Sequence, residues 1–153
     1  MARLNEKGQR FEDLIARIDV ALSEGFYVES MAITYALLEE RTYSILDKLN
    51  IQYKNKDKLF QCLTYLETHI KAKDLTCNPT SMDIGTFTAW LDAELVQSGM
   101  ISHIQTWREK RNNVIHDLAK QTIAYGDLKS PATDGRDLFR KYTAIIMKIK
   151  KNI

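Results

Sequence analysis

Residues 27–49 of this chain read YVESMAITYALLEERTYSILDKL, without a glycine or a proline. Apolar residues recur in this stretch every three or four positions, which is the spacing of one helix face. The stripe consists of Val28, Met31, Ala32, Tyr35, Leu38, Thr42, Ile45, Leu46 and Leu49. A helix over 27–49 would be roughly 35 Å long. A helix of this length indicates a helical bundle.

The same periodicity continues on both sides of this stretch. It predicts further helices over about 10–24, 55–73, 100–121 and 137–151. It also predicts a short helix that carries Phe87, Trp90, Leu91 and Leu95. The third helix is expected to start near Asn55 or Asp57, and each of the two prolines falls in a predicted loop. These loops are 74–82 and 125–135. No segment alternates as a strand does, so we predict an all-α, antiparallel bundle of about five to six helices.

Length and composition are those of one globular domain. The chain has 153 residues, 44% of them hydrophobic, and a net charge of +2. We predict one domain over 1–153, with its core at about 10–151 and a flexible N-terminus. The sequence has no apolar run of membrane-spanning length and no signal-peptide pattern, and two cysteines make no disulfide framework. A cytoplasmic protein that does not bind membranes is therefore expected.

Positive charge is concentrated in two places. The first is the stretch 54–58, which contains Lys54, Lys56 and Lys58 and a single acidic residue, Asp57. The last fourteen residues contain five positive charges and no side-chain carboxylate. The five are Arg140, Lys141, Lys148, Lys150 and Lys151. A solvated face and a frayed terminus account for such charges. In a nuclease, the tail around Lys148 to Lys151 would steer RNA together with Arg108.

The segment 107–119, WREKRNNVIHDLA, combines basic, amide and imidazole side chains on one predicted helix. Arg111 lies on the apolar stripe of this helix, and Arg108 precedes it by about one turn. Asn112 and His116 are about 40° apart around the helix axis and share a face. Arg111 and His116 are about 140° apart, so they flank one groove only if the arginine side chain folds across.

These residue types match the requirements of metal-free RNA cleavage. An imidazole has an unperturbed pKa near neutrality, which suits a base acting on a 2′-hydroxyl. A guanidinium meets two phosphate oxygens with its planar fork. An arginine and a histidine near a core stripe are often simply satisfied by carboxylates or backbone groups, so from spacing alone a structural role of Arg111 and His116 is favoured. Arg108 and Lys110 would bind phosphate in the catalytic interpretation.

Arg111-Asn112-Asn113-Val114-Ile115-His116 resembles the Arg-Asn-x-x-x-His signature of the HEPN superfamily (higher eukaryotes and prokaryotes nucleotide-binding domains). These are small helical domains, and many are metal-independent endoribonucleases of toxin–antitoxin or abortive-infection systems that act as dimers. The resemblance implies that Arg111 and His116 are catalytic, with Asn112 in support. It also implies products with 2′,3′-cyclic phosphate and 5′-hydroxyl ends, and a neutralising or regulatory partner protein. Some members place an acidic residue on the early helix, and Glu39 is the candidate here.

Other functions remain open from the residues. Many superfamily members lack nuclease activity, so a non-catalytic module that dimerises or binds a partner protein or nucleotide is the main alternative. A transcriptional regulator is less consistent with the sequence, which has no basic recognition helix. Cysteine and histidine spacing predicts no metal, and no glycine-rich phosphate loop occurs, so we expect no cofactor.

Overall fold

The computed structural model describes residues 6–153, and these residues form helices and connecting loops without any strand. The α-helices are α1 (Glu6–Ser23), α2 (Tyr27–Lys48), α3 (Leu59–Ala72), α4 (Ile84–Leu91), α5 (Met100–Ala119) and α6 (Lys129–Lys151). A π-helical segment, Asp92–Gln97, continues α4, and a 3-10 turn, Tyr125–Leu128, precedes α6. The prediction of an all-α helical fold is confirmed. None of the described helices is long and apolar enough to cross a membrane.

The first helix begins earlier than its apolar stripe indicates. Helix α1 starts at Glu6, whereas periodicity placed its start near Arg10. Polar residues at a helix start contribute no apolar spacing, so periodicity does not detect them. The predicted flexible N-terminus covers the residues before about position 10; of these, 6–9 belong to α1 and 1–5 lie outside the described residues. Helix α1 ends at Ser23, close to the glycine that was expected to end it. Gly25 adopts φ 81°, the left-handed conformation that is common just after a helix.

The prediction that α3 begins near Asn55 or Asp57 was wrong by a few residues. Asp57 forms a turn instead, in which its carboxylate accepts a hydrogen bond from the Lys54 backbone N–H at 2.8 Å. The Asp57 N–H donates back to the Lys54 carbonyl at 2.9 Å. Aspartate side chains compete with helices in this way. Helix α3 therefore starts at Leu59, immediately after the turn.

The predicted loop 125–135 was also wrong, because α6 begins at Lys129 and contains both Pro131 and Gly135. Pro131 is the third residue of α6, and the first turn of a helix leaves the N–H groups without helical partners. Gly135 is buried against the Trp107 ring: a Cβ atom there would lie 2.6 Å from Cε2 and 2.8 Å from Nε1. Both residues usually mark loops, but here the helix start and close packing accommodate them.

The described residues group into two compact units. The first unit comprises residues 6–36 and 107–137. Its buried apolar residues are Ile18, Ala21, Met31, Trp107, Leu128 and Ala132. Arg17 pairs with Glu29 at 3.1 Å on its surface. This unit contains the whole segment 107–119.

The second unit comprises Leu37–Thr106 and Leu138–Ile153. Its core is larger, and its most enclosed residues include Leu38, Ile45, Leu46, Leu49, Leu63, Leu66, Phe87, Leu91, Tyr142, Ile146 and Ile149. The hydroxyls of Thr42 and Tyr142 are 2.8 Å apart within this core, and Thr42 also donates to the Leu38 carbonyl. These two buried hydroxyls of α2 and α6 are thus satisfied within this unit.

Candidate functional site

Trp107 fixes the start of the segment 107–119 within the first unit. Its side chain is buried, and its Nε1–H donates to the Pro131 carbonyl at 2.8 Å. The indole covers Gly135, so the third and seventh residues of α6 both contact the same ring. Since α5 is one continuous helix from Met100 to Ala119, this anchor sets the orientation of the residues that follow.

Arg111 lies on the face of an aromatic ring. Its Cζ atom is 4.6 Å from the centroid of the Tyr35 ring, a cation–π arrangement. Its Nη1 donates to Asn112 Oδ1 at 3.1 Å. Its Nε is buried and has no hydrogen-bond partner. Within residues 6–153 no carboxylate forms an ion pair with Arg111.

The Arg111 guanidinium is therefore a positive charge in a partly desolvated position. Burial lowers the pKa of Arg111, and the nearby Tyr35 opposes this change. The group stays protonated, because arginine does not lose its proton in proteins. A half-buried cation without an anionic partner is costly, and a bound anion would compensate for it.

His116 is exposed on the last part of α5. Across the described chain its imidazole ring makes no hydrogen bond, whereas its carbonyl accepts from the Lys120 N–H. Arg111 and His116 are separated by about 7.5 Å along the helix axis, and the structure shows no contact between them. Asn112, which sequence spacing placed on the face of His116, is bonded to Arg111 instead.

The other residues predicted for the site differ in their surroundings. The Arg108 side chain is mostly buried and lies 3.5 Å from the Glu109 carboxylate. Lys110 is exposed. Glu39 belongs to the second unit, where its Oε2 accepts the backbone N–H of Leu59, the first residue of α3. A carboxylate at a helix N-terminus accepts from a free N–H group and interacts favourably with the positive end of the helix dipole. Glu39 therefore has a structural role there.

Sequence reasoning missed the role of Tyr35. Its spacing places it on the apolar stripe of α2. In the structure it is half-buried and supports the guanidinium of Arg111. No local pattern predicts this pair, because the two residues are distant in sequence and meet only through packing of α2 with α5.

The cation–π pair leads to a prediction about stability. A double-mutant cycle with Tyr35→Leu and Arg111→Met should give a coupling of about 0.5–2 kcal/mol in the free energy of unfolding. The physical reason is that each single change already removes the attraction between the ring and the guanidinium. Urea denaturation of the four proteins measures the coupling.

A matched cycle provides the control. Tyr35→Leu combined with Lys110→Met removes a cation from an exposed neighbouring position on the same helix. This second cycle should give a coupling close to zero. Equal couplings in the two cycles would show that Tyr35 acts through general packing and not through the ring face.

The described residues around the motif are not arranged as a metal site. In the part of the chain that the structure describes, no group of three or more His, Cys, Asp or Glu residues is arranged to hold a metal ion. A cavity of about 560 Å³ lies in the second unit, between Ile70 and Leu75 on one side and Ile84 and Thr88 on the other. In the motif, His116 is exposed, whereas Arg111 and Asn112 are half-buried.

No protein-family model, no curated protein and no solved structure matches this chain significantly.

Proposed function

We propose that this protein is a metal-independent endoribonuclease of toxin or abortive-infection type that acts as a homodimer in the cytoplasm. Its catalytic residues are Arg111 and His116, with Asn112 in support. Its products carry 2′,3′-cyclic phosphate and 5′-hydroxyl ends. A neutralising or regulatory partner protein is part of this proposal, because an unregulated ribonuclease damages its own cell.

The state of Arg111 is the observation that supports the proposal most. In a purely structural role, an arginine next to a core stripe would be saturated by carboxylate or carbonyl oxygens. Here it rests on the Tyr35 ring, with a single hydrogen bond to Asn112 and a buried Nε without an acceptor. A phosphate oxygen would supply the missing acceptor and charge. His116, five residues further along, is exposed and has an unengaged ring.

The chemistry assigns a role to each group. His116 takes the proton of a ribose 2′-hydroxyl, and the 2′-oxygen attacks the adjacent phosphorus. The bond from phosphorus to the 5′-oxygen breaks, and that oxygen takes up a proton. Arg111 stabilises the negative charge that grows on the phosphate oxygens during this step. Asn112 holds the guanidinium through its Oδ1, which limits the rotation of Arg111.

The apolar residues around the motif support the proposed homodimer. Ile101, Ile104 and Trp107 in the first part of α5 are buried. Three residues that continue the stripe toward the C-terminus are only half-buried. They are Val114, Ile115 and Leu118. A second copy that covers them would bring two motifs together and bury apolar area on both chains.

Cleavage of RNA by the purified protein with excess EDTA tests the proposal. We expect the wild type to cut a single-stranded RNA, and a kinase acting on 5′-hydroxyl ends should label the downstream products directly. An RNA with 2′-deoxyribose at the cut position should resist cleavage there, since the attacking oxygen is missing. Light scattering should report a dimer.

A contrary result would favour the alternative, a non-catalytic module that dimerises or binds a partner protein or nucleotide. Absence of cleavage over varied RNAs, or activity that disappears with EDTA, would contradict the proposal. The half-buried apolar residues of α5 would then be assigned to a partner interface alone.

A further inference from the structure

We propose that α6 presents a second, non-catalytic binding surface for the phosphate backbone of RNA, formed by Lys141, Lys148 and Lys151. The choice of RNA as occupant rests on the proposed ribonuclease function. The surface lies wholly in the second unit, whereas Arg111 and His116 belong to the first. Its role is to increase affinity without touching the reacting atoms.

These three lysines differ from the other charges of α6. Each is exposed, and none forms an ion pair with a carboxylate among residues 6–153. Lys150 is different, because its Nζ donates to Ser44 Oγ. From Leu138 to Ile153 the sequence contains no aspartate or glutamate. The positive charge of this face is therefore not neutralised by its own helix.

A favourable interaction with the helix dipole accounts for only two of these three lysines. Cations within the last turn of a helix interact favourably with its C-terminal end. Lys148 and Lys151 are in that region, but Lys141 is ten residues before the last residue of α6. The dipole falls off within one turn, so Lys141 gains nothing from it.

The geometry of α6 fits a run of phosphates. The three lysines lie within an arc of about 80° around the helix and span about 15 Å along its axis. A nucleic-acid strand in a regular helix has one phosphate per about 3.4 Å of axis, so this length faces several phosphates. The spacing of the lysines thus fits several phosphates along one nucleic-acid strand and does not fit a single anion.

Packing holds this face in place. On the opposite side of α6, four large side chains are almost fully buried. They are Phe139, Tyr142, Ile146 and Ile149. The end of the helix is tied to the loop before α4, because Asn152 accepts the Thr80 N–H at 2.8 Å and the Ser81 hydroxyl at 2.6 Å. The sequence interpretation as a frayed terminus therefore does not apply to this helix end.

The composition of the exposed face distinguishes a polynucleotide from a lipid surface. A helix that lies on a membrane has a broad apolar face beside its basic residues. The exposed face of α6 in this unit has Met147, which is 50% exposed, as its only large hydrophobic residue. Its broad apolar face is already buried in the core. Charge without a free apolar face fits a phosphate backbone.

Binding of a 2′-O-methyl RNA oligonucleotide, which cannot be cleaved through its 2′-oxygen, tests the inference separately from catalysis. The variant carries Lys141→Gln, Lys148→Gln and Lys151→Gln in the full-length protein. The control carries Lys54→Gln, Lys56→Gln and Lys58→Gln, which removes the same charge from exposed positions elsewhere in the second unit. Fluorescence anisotropy at several salt concentrations gives the affinity and its salt dependence, and thermal melting verifies that both variants fold.

We expect the α6 variant to bind roughly tenfold more weakly, and its slope of log K against log salt to become shallower by about 0.7 for each lysine lost. The control should retain most of the affinity. Equal weakening in both variants, or no change in the α6 variant, would overturn the inference. So would α6-dependent binding of phosphatidylserine vesicles or of polyglutamate that is as tight as RNA binding.

The two proposals fail in distinguishable ways. If the wild type binds the oligonucleotide through the α6 lysines but cuts no RNA, the ribonuclease proposal fails and the surface remains. If the wild type cuts RNA and the α6 variant binds and cuts as well as wild type, the surface is rejected and the ribonuclease proposal remains.

Discussion

Replacing His116 with alanine is expected to lower the rate of RNA cleavage by about 10²- to 10⁴-fold, the usual contribution of a general acid–base group. The loss should appear in kcat, because the imidazole acts on the proton transferred during the reaction and not on the affinity for RNA. Single-turnover cleavage with excess protein, with EDTA present, measures this rate.

The His116→Ala variant should fold normally, so a loss of activity can be assigned to the missing imidazole. His116 is exposed, and its ring bonds to nothing else in the described chain. Substitution of such a surface residue usually changes the free energy of unfolding by less than about 0.5 kcal/mol. A melting curve that overlays that of the wild type would exclude misfolding as the cause of lost activity.

His103→Ala is the matched control. His103 is an exposed histidine on the same helix, three residues after Met100, where α5 begins. Its substitution removes one imidazole and should leave cleavage within about twofold, because surface changes outside the site have small effects. Equal activity of the two variants would remove His116 from the mechanism.

Arg111 provides the companion test. Arg111→Lys keeps one positive charge but loses the planar fork and the stacking on Tyr35. Loss of one group that stabilises transition-state charge lowers kcat by about 10²- to 10³-fold. A lysine variant with full activity would show that only net charge is needed at this position.

Gly135→Ala is the change with the largest expected effect on stability. An added Cβ at Gly135 would lie 2.6 Å from Cε2 of Trp107, far inside van der Waals contact. The ring cannot move away freely, because its Nε1–H donates to the Pro131 carbonyl. Overpacking of this kind costs roughly 1–3 kcal/mol. The better helix propensity of alanine offsets only about 1 kcal/mol of that cost.

Denaturation in urea, followed by far-UV circular dichroism, measures this loss. Gly126→Ala is the control, since a Cβ at Gly126 would meet no atom within 4 Å and its φ is not positive. We expect the control to stay within about 0.5 kcal/mol of the wild type. A second comparison uses Trp107→Leu, which removes the ring. In that background Gly135→Ala should cost much less, and an unchanged cost would show that the clash is not with Trp107.

Helix periodicity predicted the all-α fold well, because core-facing residues on amphipathic helices keep a regular spacing. Helix α2 was expected over 27–49 and is observed over Tyr27–Lys48. The errors had two causes: a local turn that helix periodicity does not detect, and a tertiary contact that overrides a loop signal. Asp57 makes a turn with Lys54, so α3 starts later than expected. Gly135 lies inside α6, because the Trp107 ring occupies the space that a side chain would fill.

The candidate site was predictable only in part. Arg111, Asn112 and His116 are adjacent along one helix, so spacing alone places them near each other. The support of Arg111 by Tyr35 was not predictable, since Tyr35 lies on another helix. For Glu39, the predicted supporting acid, only the structure shows that its carboxylate accepts the Leu59 N–H at 3.0 Å.

The order of polar and apolar residues was enough to specify six helices and the local neighbourhood of the motif, because both depend on contacts within one or two turns. The placement of Tyr35 beneath the Arg111 guanidinium required the packed structure, as did the fit of Trp107 over Gly135. Such contacts join residues that are distant in sequence, and they form only when side chains interlock at close-packed density.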